Sequence, residues 1–175
     1  MVSEVLHEAP REPLTPLQRA VYGKLDELRV PFSRVETDRG VSIDDCREVD
    51  GALGVSTVKT LLLCNRQKTR FYLLVMPGDK PFVTRDFGAA LGVSRVSFAP
   101  AEMLGELLGT VVGGASPLAV VSAPAHIRVV FDREALATET FGCNDGTPHN
   151  YLRLATDDVR RYLESCGRPC ELVDL

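Results

Sequence analysis

Apolar positions recur along this chain at two spacings, and the alternation between them sets out most of its elements. Leu17, Val21, Leu25 and Leu28 fall three or four residues apart, the period of a helix with one buried face. Thr15 and Pro16 stand before them as a cap and a first helical residue. A helix is therefore predicted from there to about Arg29, ended by Pro31. Phe32 to Glu36 alternates as a short strand. A second helix is expected to open at Ser42 with Asp44 and Asp45, present Ile43, Cys46, Val49 and Leu53 on one face, and close at Gly54.

The middle of the chain reads differently. Val58–Cys64 and Phe71–Met76 are apolar, partly β-branched runs joined by the polar turn Asn65–Thr69, the pattern of an antiparallel hairpin. Pro77-Gly78-Asp79 is a turn. Thr84 is expected to cap a short helix through Leu91, Val93–Phe98 to form a strand, and Pro100 to start a helix reaching Leu108. Gly109–Pro117 is a glycine-rich loop, with strand-like runs at Leu118–Val121 and Ile127–Phe131. Residues 132–140 suggest a helical turn and then a strand. Tyr151–Leu154 alternates, Thr156 is placed as the cap of a last helix closed by Gly167, and Glu171–Leu175 is a final strand. Short strands mixed with hairpins and helices, without βαβ alternation, predict a single α+β domain with a mixed, largely antiparallel sheet. Residues 1–14, with Pro10, Pro13 and many charges, read as a flexible arm before a domain spanning 15–175.

Composition narrows the function classes. With 45% hydrophobic and 25% charged residues in 175, the chain suits one soluble globular domain. No apolar run approaches the ~20 residues of a membrane helix, and Met1–Pro13 lacks the apolar core of a signal peptide. A cytoplasmic protein without a membrane partner is expected. The five cysteines form no Cys-x-x-Cys pair, and the three histidines show no ligand spacing, so neither a disulfide framework nor a metal site is expected. Net charge is −4, unevenly spread: residues 59–95 carry seven basic and two acidic side chains, while both flanks are acidic. That segment is either a solvated hairpin rim or a face for a phosphate backbone.

Two places could carry chemistry. Gly113-Gly114-Ala115-Ser116-Pro117 allows close backbone approach to a ligand, although on pattern alone a tight turn joining helix to strand is the commoner explanation; no Gly-Lys-Ser/Thr follows, so it is not a phosphate loop. Lys59 begins an apolar strand, either as a solvated strand-end cation or as a cation reaching into a cleft. Ser116 with His126 or His149 suggests a nucleophile only weakly, since no Gly-x-Ser-x-Gly elbow is present.

Three segments, Val58–Phe82 (VKTLLLCNRQKTRFYLLVMPGDKPF), Leu91–Leu104 (LGVSRVSFAPAEML) and Gly113–Val120 (GGASPLAV), together with the closing CELVDL, resemble the YbaK/PrdX family of prolyl-tRNA-synthetase-associated editing domains, most of all its free-standing alanyl-tRNA(Pro) deacylases. The similarity runs from about Thr15 to Leu175. It implies a barrel-like mixed sheet wrapped by helices, and a cofactor-free, metal-independent deacylase acting on the acceptor end of mischarged tRNA(Pro), with prolyl-tRNA synthetase as a possible partner. By the same resemblance Lys59 and Gly113 are catalytic, and Thr60, Gly114, Ala115, Ser116 and Pro117 bind substrate. In the family, a ribose hydroxyl of the terminal adenosine helps a water attack the ester. Arg66, Lys68, Arg70 and Lys80, in the basic segment, are the expected tRNA contacts. Leu61, Leu63 and Phe71 are candidate pocket walls, though core packing explains them equally well. Two departures stand out: Thr60 follows the lysine where the family often has asparagine, and Phe141–Gly146 lacks a histidine often found there. These leave open a serine-, threonine- or cysteine-directed editor, and a non-catalytic module that binds tRNA or aminoacyl-adenosine.

Overall fold

The computed structural model describes residues 1–38 and 43–175, with only the backbone of residues 43–45, so the expected helix start at Ser42 lies outside the described residues. Helix α1 (Pro16–Glu27) begins as the sequence indicates. The Thr15 hydroxyl accepts from the Gln18 amide at 3.1 Å, and the Gln18 side chain accepts from the Thr15 amide at 3.0 Å. Such a reciprocal cap contributes about 1 kcal/mol. Leu17, Val21, Tyr22 and Leu25 are buried on its inner face. Strand β1 (Ser33–Glu36) follows, then α2 (Ile43–Leu53), which closes at Gly54 in the left-handed region with φ +64°. The segment before α1 runs beside β1: the Leu6 amide donates to the Arg34 carbonyl at 2.8 Å and the Arg34 amide to the Leu6 carbonyl at 2.7 Å.

Strands β2 (Val58–Asn65) and β3 (Phe71–Pro77) form the antiparallel hairpin, pairing Lys59 with Met76 and Leu63 with Tyr72. In the turn between them, the Asn65 side-chain oxygen accepts from the Thr69 and Arg70 amides at 2.9 and 3.0 Å. Helix α3 (Thr84–Leu91) leads to β4 (Val96–Phe98), and α4 (Ala101–Met103) continues as a π-helical turn over Leu104–Leu108. Strands β5 (Arg128–Asp132), β6 (Thr140–Asn144) and β7 (Asn150–Ala155), helix α5 (Thr156–Ser165) and β8 (Glu171–Val173) complete the chain.

The strands form two sheets, β1-β7-β6 and β4-β2-β3-β5-β8. The first is antiparallel, as are β2–β3 and β2–β4; β5 runs parallel to both β3 and β8. Strand β3 is the middle of the larger sheet, and its alternate residues feed two cores. Leu73 and Val75 join α1 and α5 on one face, whereas Tyr72, Leu74 and Met76 pack with Phe87 of α3 on the other. This two-sided burial makes β3 a continuous apolar run rather than an alternating one. The sheets meet at a parallel bridge between Thr57 and Gly142. A Cβ at Gly142 would lie 2.9 Å from Val55 Cγ1 and 3.1 Å from Thr57 Cα, so the approach requires glycine.

Four local expectations are corrected. Leu118–Val121 is no strand: Pro117–Val121 is a 3-10 helix with Ser116 as its cap, its oxygen accepting from the Leu118 amide at 3.2 Å. Proline at the first helical position fixes the turn, and a short buried apolar run does not distinguish helix from strand. Thr84 and Thr156 are first helical residues rather than caps, because Val83 and Ala155 hold the cap positions. The Thr156 hydroxyl instead donates to the Thr138 carbonyl at 2.6 Å. The strand expected over 93–98 is confined to Val96–Phe98, the residues that find partners on β2.

Candidate functional site

Lys59 lies in the second position of β2, facing two hollows. On one side a cavity of about 360 Å³ is lined by Asp50, Thr57, Asp79, Glu134 and Phe141 as well as Lys59. On the other a cleft of about 470 Å³ brings Lys59 and Thr60 together with Gly113, Ala115, Asn144 and Tyr151. Leu61 and Phe98 also line this cleft. Of the anticipated walls, Leu61 is therefore present, while Leu63 and Phe71 are buried in the two cores instead.

The turn after β3 positions the lysine. Lys59 Nζ donates to the backbone carbonyl of Lys80. The Lys80 ammonium in turn binds Asp132 Oδ2 at 2.7 Å and Glu134 Oε1 at 3.2 Å, and Asp132 is only 1% exposed. The 77–80 turn is thus tied to the end of β5, with its carbonyl held toward Lys59. Gly78 fits there because a Cβ would come within 2.5 Å of the Thr57 carbonyl oxygen. Desolvation holds the Lys59 ammonium below the ordinary lysine range, opposed by the nearby Asp79 carboxylate. Lys80 is pushed the other way, chiefly by its hydrogen bond to Asp132.

The glycine loop has its own clamp. Gly113 takes φ +87°, and at Gly114 a Cβ would sit 2.1 Å from Thr110 Oγ1. Asn144 Nδ2 donates to the carbonyls of Gly113 at 3.3 Å and Ala115 at 3.0 Å, and its Oδ1 accepts from the Gly146 amide at 2.9 Å. Ser116 Oγ donates to the Asn144 carbonyl at 2.7 Å, and Thr110 Oγ1 to the Gly146 carbonyl at 2.7 Å. The loop is fastened to the end of β6 rather than left as a free turn.

The sequence-derived candidates consequently divide. Lys59, Thr60, Gly113 and Ala115 share the cleft; Gly114, Ser116 and Pro117 are buried behind it. The Ser116 hydroxyl is engaged with backbone, and His126 and His149 are both exposed. Arg66, Lys68 and Arg70 project from the exposed β2–β3 turn, roughly 20 Å along β2 from Lys59 at the usual strand rise. Lys80 stands apart from those three, its ammonium held by Asp132 and Glu134. Asn144 and Asp145 were missed. Asp145 is fully buried and accepts from Gln18 Nε2 at 2.9 Å and from the Tyr22 hydroxyl at 2.8 Å, fastening α1 beneath the loop. Burial raises its carboxyl from the ordinary aspartate range, and the bonds from Gln18, Thr147 and Tyr22 oppose that rise. An Asn-Asp-Gly sequence between strands was the available signal, since Asx side chains bond to neighbouring backbone.

Among the described residues, no group of three or more histidine, cysteine or acidic side chains could hold a metal ion, and no helix is long and apolar enough to cross a membrane.

Comparison with known proteins adds a family to this geometry. Residues 40–162 match the model of the aminoacyl-tRNA editing domain. A protein from Acetoanaerobium sticklandii, named prolyl-tRNA editing protein ProX, is 24% identical over 159 residues, covering 90% of this chain and 97% of its own. Two solved structures superpose over nearly all of the chain. One, a candidate trans-editing enzyme for prolyl tRNA synthetase, has TM-score 0.70 and 20% identity, covering 93% of this chain and 99% of its own. The other, the hypothetical protein APE2540, has TM-score 0.66 and 25% identity, covering 88% and 98%.

Proposed function

This chain belongs to the family of aminoacyl-tRNA editing domains, and from that premise we propose that it hydrolyses the ester of misacylated proline tRNA, with alanine as the amino acid removed. The observation that carries the reading is the meeting of Lys59, Thr60 and the glycine loop in one cleft. The name of the Acetoanaerobium sticklandii relative supports proline tRNA as the carrier.

An aminoacyl ester is already reactive, so the site needs a placed water and positive charge for the developing oxyanion more than a strong nucleophile. Water adds to the ester carbonyl, the bond to the ribose oxygen breaks, and the free amino acid and the tRNA hydroxyl leave. Lys59 supplies charge near the carbonyl oxygen, and a ribose hydroxyl of the terminal adenosine orients the water. Leu61, Ala115 and Tyr151 bound a space that admits a small side chain. A second hydrolytic sieve is useful because synthetases separate small apolar side chains by only about 1–3 kcal/mol. The reaction draws on no metal, and its rate is expected to survive EDTA. The partner is the acceptor end of charged tRNA(Pro), met free or on prolyl-tRNA synthetase.

Purified protein incubated with Ala-, Ser-, Cys- and Pro-tRNA(Pro) tests this reading. Preferential release of alanine supports it, and no release above the uncatalysed rate overturns it. The presence of Thr60 in the cleft favours a second reading, in which its hydroxyl pairs with that of serine or threonine. Faster cleavage of those species would select it. Binding of tRNA without turnover would assign the chain to a non-catalytic module.

A further inference from the structure

Phe98 is an exposed aromatic ring held in a fixed position. It ends β4, the edge strand of the larger sheet, opposite Leu63, and it is 61% exposed. Its edge meets Phe82, with centroids 5.7 Å apart; Phe82 meets Phe87 at 6.1 Å, and Phe87 meets Tyr72 at 5.6 Å. Phe87 is fully buried, so this run of edge-on contacts leads from the core to the surface and leaves much of the last ring open to solvent. The ring lines the cleft that contains Lys59, about 13 Å along β2 from it at the strand rise. Val112 of the glycine loop, 70% exposed, lines the same cleft.

The other end of β4 is basic. Val96 pairs with Asn65, which puts Arg95 beside the β2–β3 turn, and Arg66 and Arg95 line one shallow depression there. Among the described residues, no carboxylate is ion-paired with Arg66, Lys68, Arg70 or Arg95. One edge of the molecule therefore carries unpaired cations, then a fixed exposed ring, then the cleft. A flexible polyanion with planar apolar groups complements the whole track, its charges meeting the cations and a planar group meeting the ring. Single-stranded RNA has that chemistry.

We propose that Phe98 is a stacking platform for an unpaired base at the tRNA 3′ end, and that Arg66 and Arg95 hold phosphates of the same strand. The inference rests on the editing function proposed above and extends it to how the substrate is threaded. The ester lies at Lys59, a base rests on Phe98, and the strand leaves over β4 toward the hairpin turn.

The chain contains no tryptophan, so F98W introduces a single indole at the platform. Its emission is titrated with the uncharged trinucleotide CCA, and L172W, on β8 at the opposite edge of the sheet, serves as the control. Saturable quenching in F98W alone, weakened by added salt and by R66A or R95A, is expected. In deacylation assays F98L is expected to raise KM about tenfold or more with a much smaller change at saturation, and F98Y to restore it, since a stack needs a ring and not merely apolar bulk. Unmoved emission together with parental kinetics for F98L would overturn the platform, as would concentration-dependent self-association that covers the indole. Because CCA carries no aminoacyl ester, the two proposals fail separately. Quenching without turnover of any charged tRNA leaves the platform and removes the editing function; turnover with neither quenching nor an F98L effect does the reverse.

Discussion

Replacing Lys80 by methionine tests the arrangement that holds Lys59. The substitution keeps most of the aliphatic stem and removes the ammonium that binds Asp132 at 2.7 Å and Glu134 at 3.2 Å. Breaking a buried ion pair by deleting one partner costs about 3–5 kcal/mol. Here the penalty is smaller: the lysine side chain is 20% exposed, and Asp132 Oδ1 still accepts from the Glu134 amide at 3.1 Å. A loss of about 2 kcal/mol is expected, the value of a charge-assisted hydrogen bond whose buried acceptor stays behind. For a chain of this size that lowers Tm by roughly 4–8 °C. The pH dependence follows from the raised Lys80 pKa. A cation whose pKa is higher folded than unfolded stabilises fully below the unfolded value of about 10.4, and that contribution is lost as pH rises through the folded value. The stability gap between parent and K80M should therefore be constant near neutrality and close only in strong alkali. Urea unfolding at several pH values reads it, and D132N/K80M should be little less stable than K80M alone if the pair is coupled. Catalysis should fall at saturating substrate, because the carbonyl that accepts from Lys59 belongs to the displaced turn. The reasoning is refuted if K80M melts with the parent and shows only a raised, salt-sensitive KM, the signature of a lysine touching phosphate.

Four further outcomes are expected. Lys59→Ala should lower the hydrolysis rate by at least ~100-fold with the fold intact by circular dichroism, and Lys59→Arg should restore little of it, a wide planar fork replacing a compact ammonium. Because desolvation depresses Lys59, the enzymatic rate, corrected for spontaneous ester hydrolysis, should decline in alkali before the ordinary lysine range is reached. Asn144→Asp, which turns an acceptor toward two carbonyls, should destabilise more than Asn144→Ala, for which ~1–2 kcal/mol is expected, and both should slow turnover; parental thermal stability in both would remove the clamp. Neutralising Arg66, Lys68 and Arg70 singly should weaken tRNA binding and reduce the slope of log affinity against log salt by about one each. An unchanged slope for all three would remove that face from the interface.

Where local chemistry decides the outcome, the sequence was legible: the Thr15–Pro16 start, the Gly54 stop and the β2–β3 hairpin all depend on neighbours within a few residues. Lys59 and the glycine loop stood out in the sequence as places that could carry chemistry; resemblance chose the functional reading of both and added Thr60, and that these meet in one cleft is a tertiary fact. The division into two sheets and the parallel partners of β5 depend on pairings between distant segments, for which short apolar runs carry no register. The Pro117–Val121 helix was misread because burial on all sides erases periodicity. Asn144 was passed over because its importance lies in bonds to Gly113 and Ala115, some thirty residues away in sequence. Arg95 and Phe98 each look like ordinary surface residues until the edge strand aligns them.

The bridge between Thr57 and Gly142 has a geometric consequence. Both segments run the same way through it, and two residues beyond it lie Lys59 on one and Asn144 on the other. From that point the paths separate into different sheets, so the cleft occupies the angle of a fork, with the lysine on one tine and the fastening of the glycine loop on the other. A fork is narrow near its crotch and wider toward its mouth. On the proposed editing function, the size of amino acid admitted there is set partly by how closely two backbones meet at a residue without a side chain. A methyl group at Gly142, pressed against Val55 and Thr57, would act there as a shim, and in the same panel of charged tRNAs it is expected to shift preference toward bulkier amino acids.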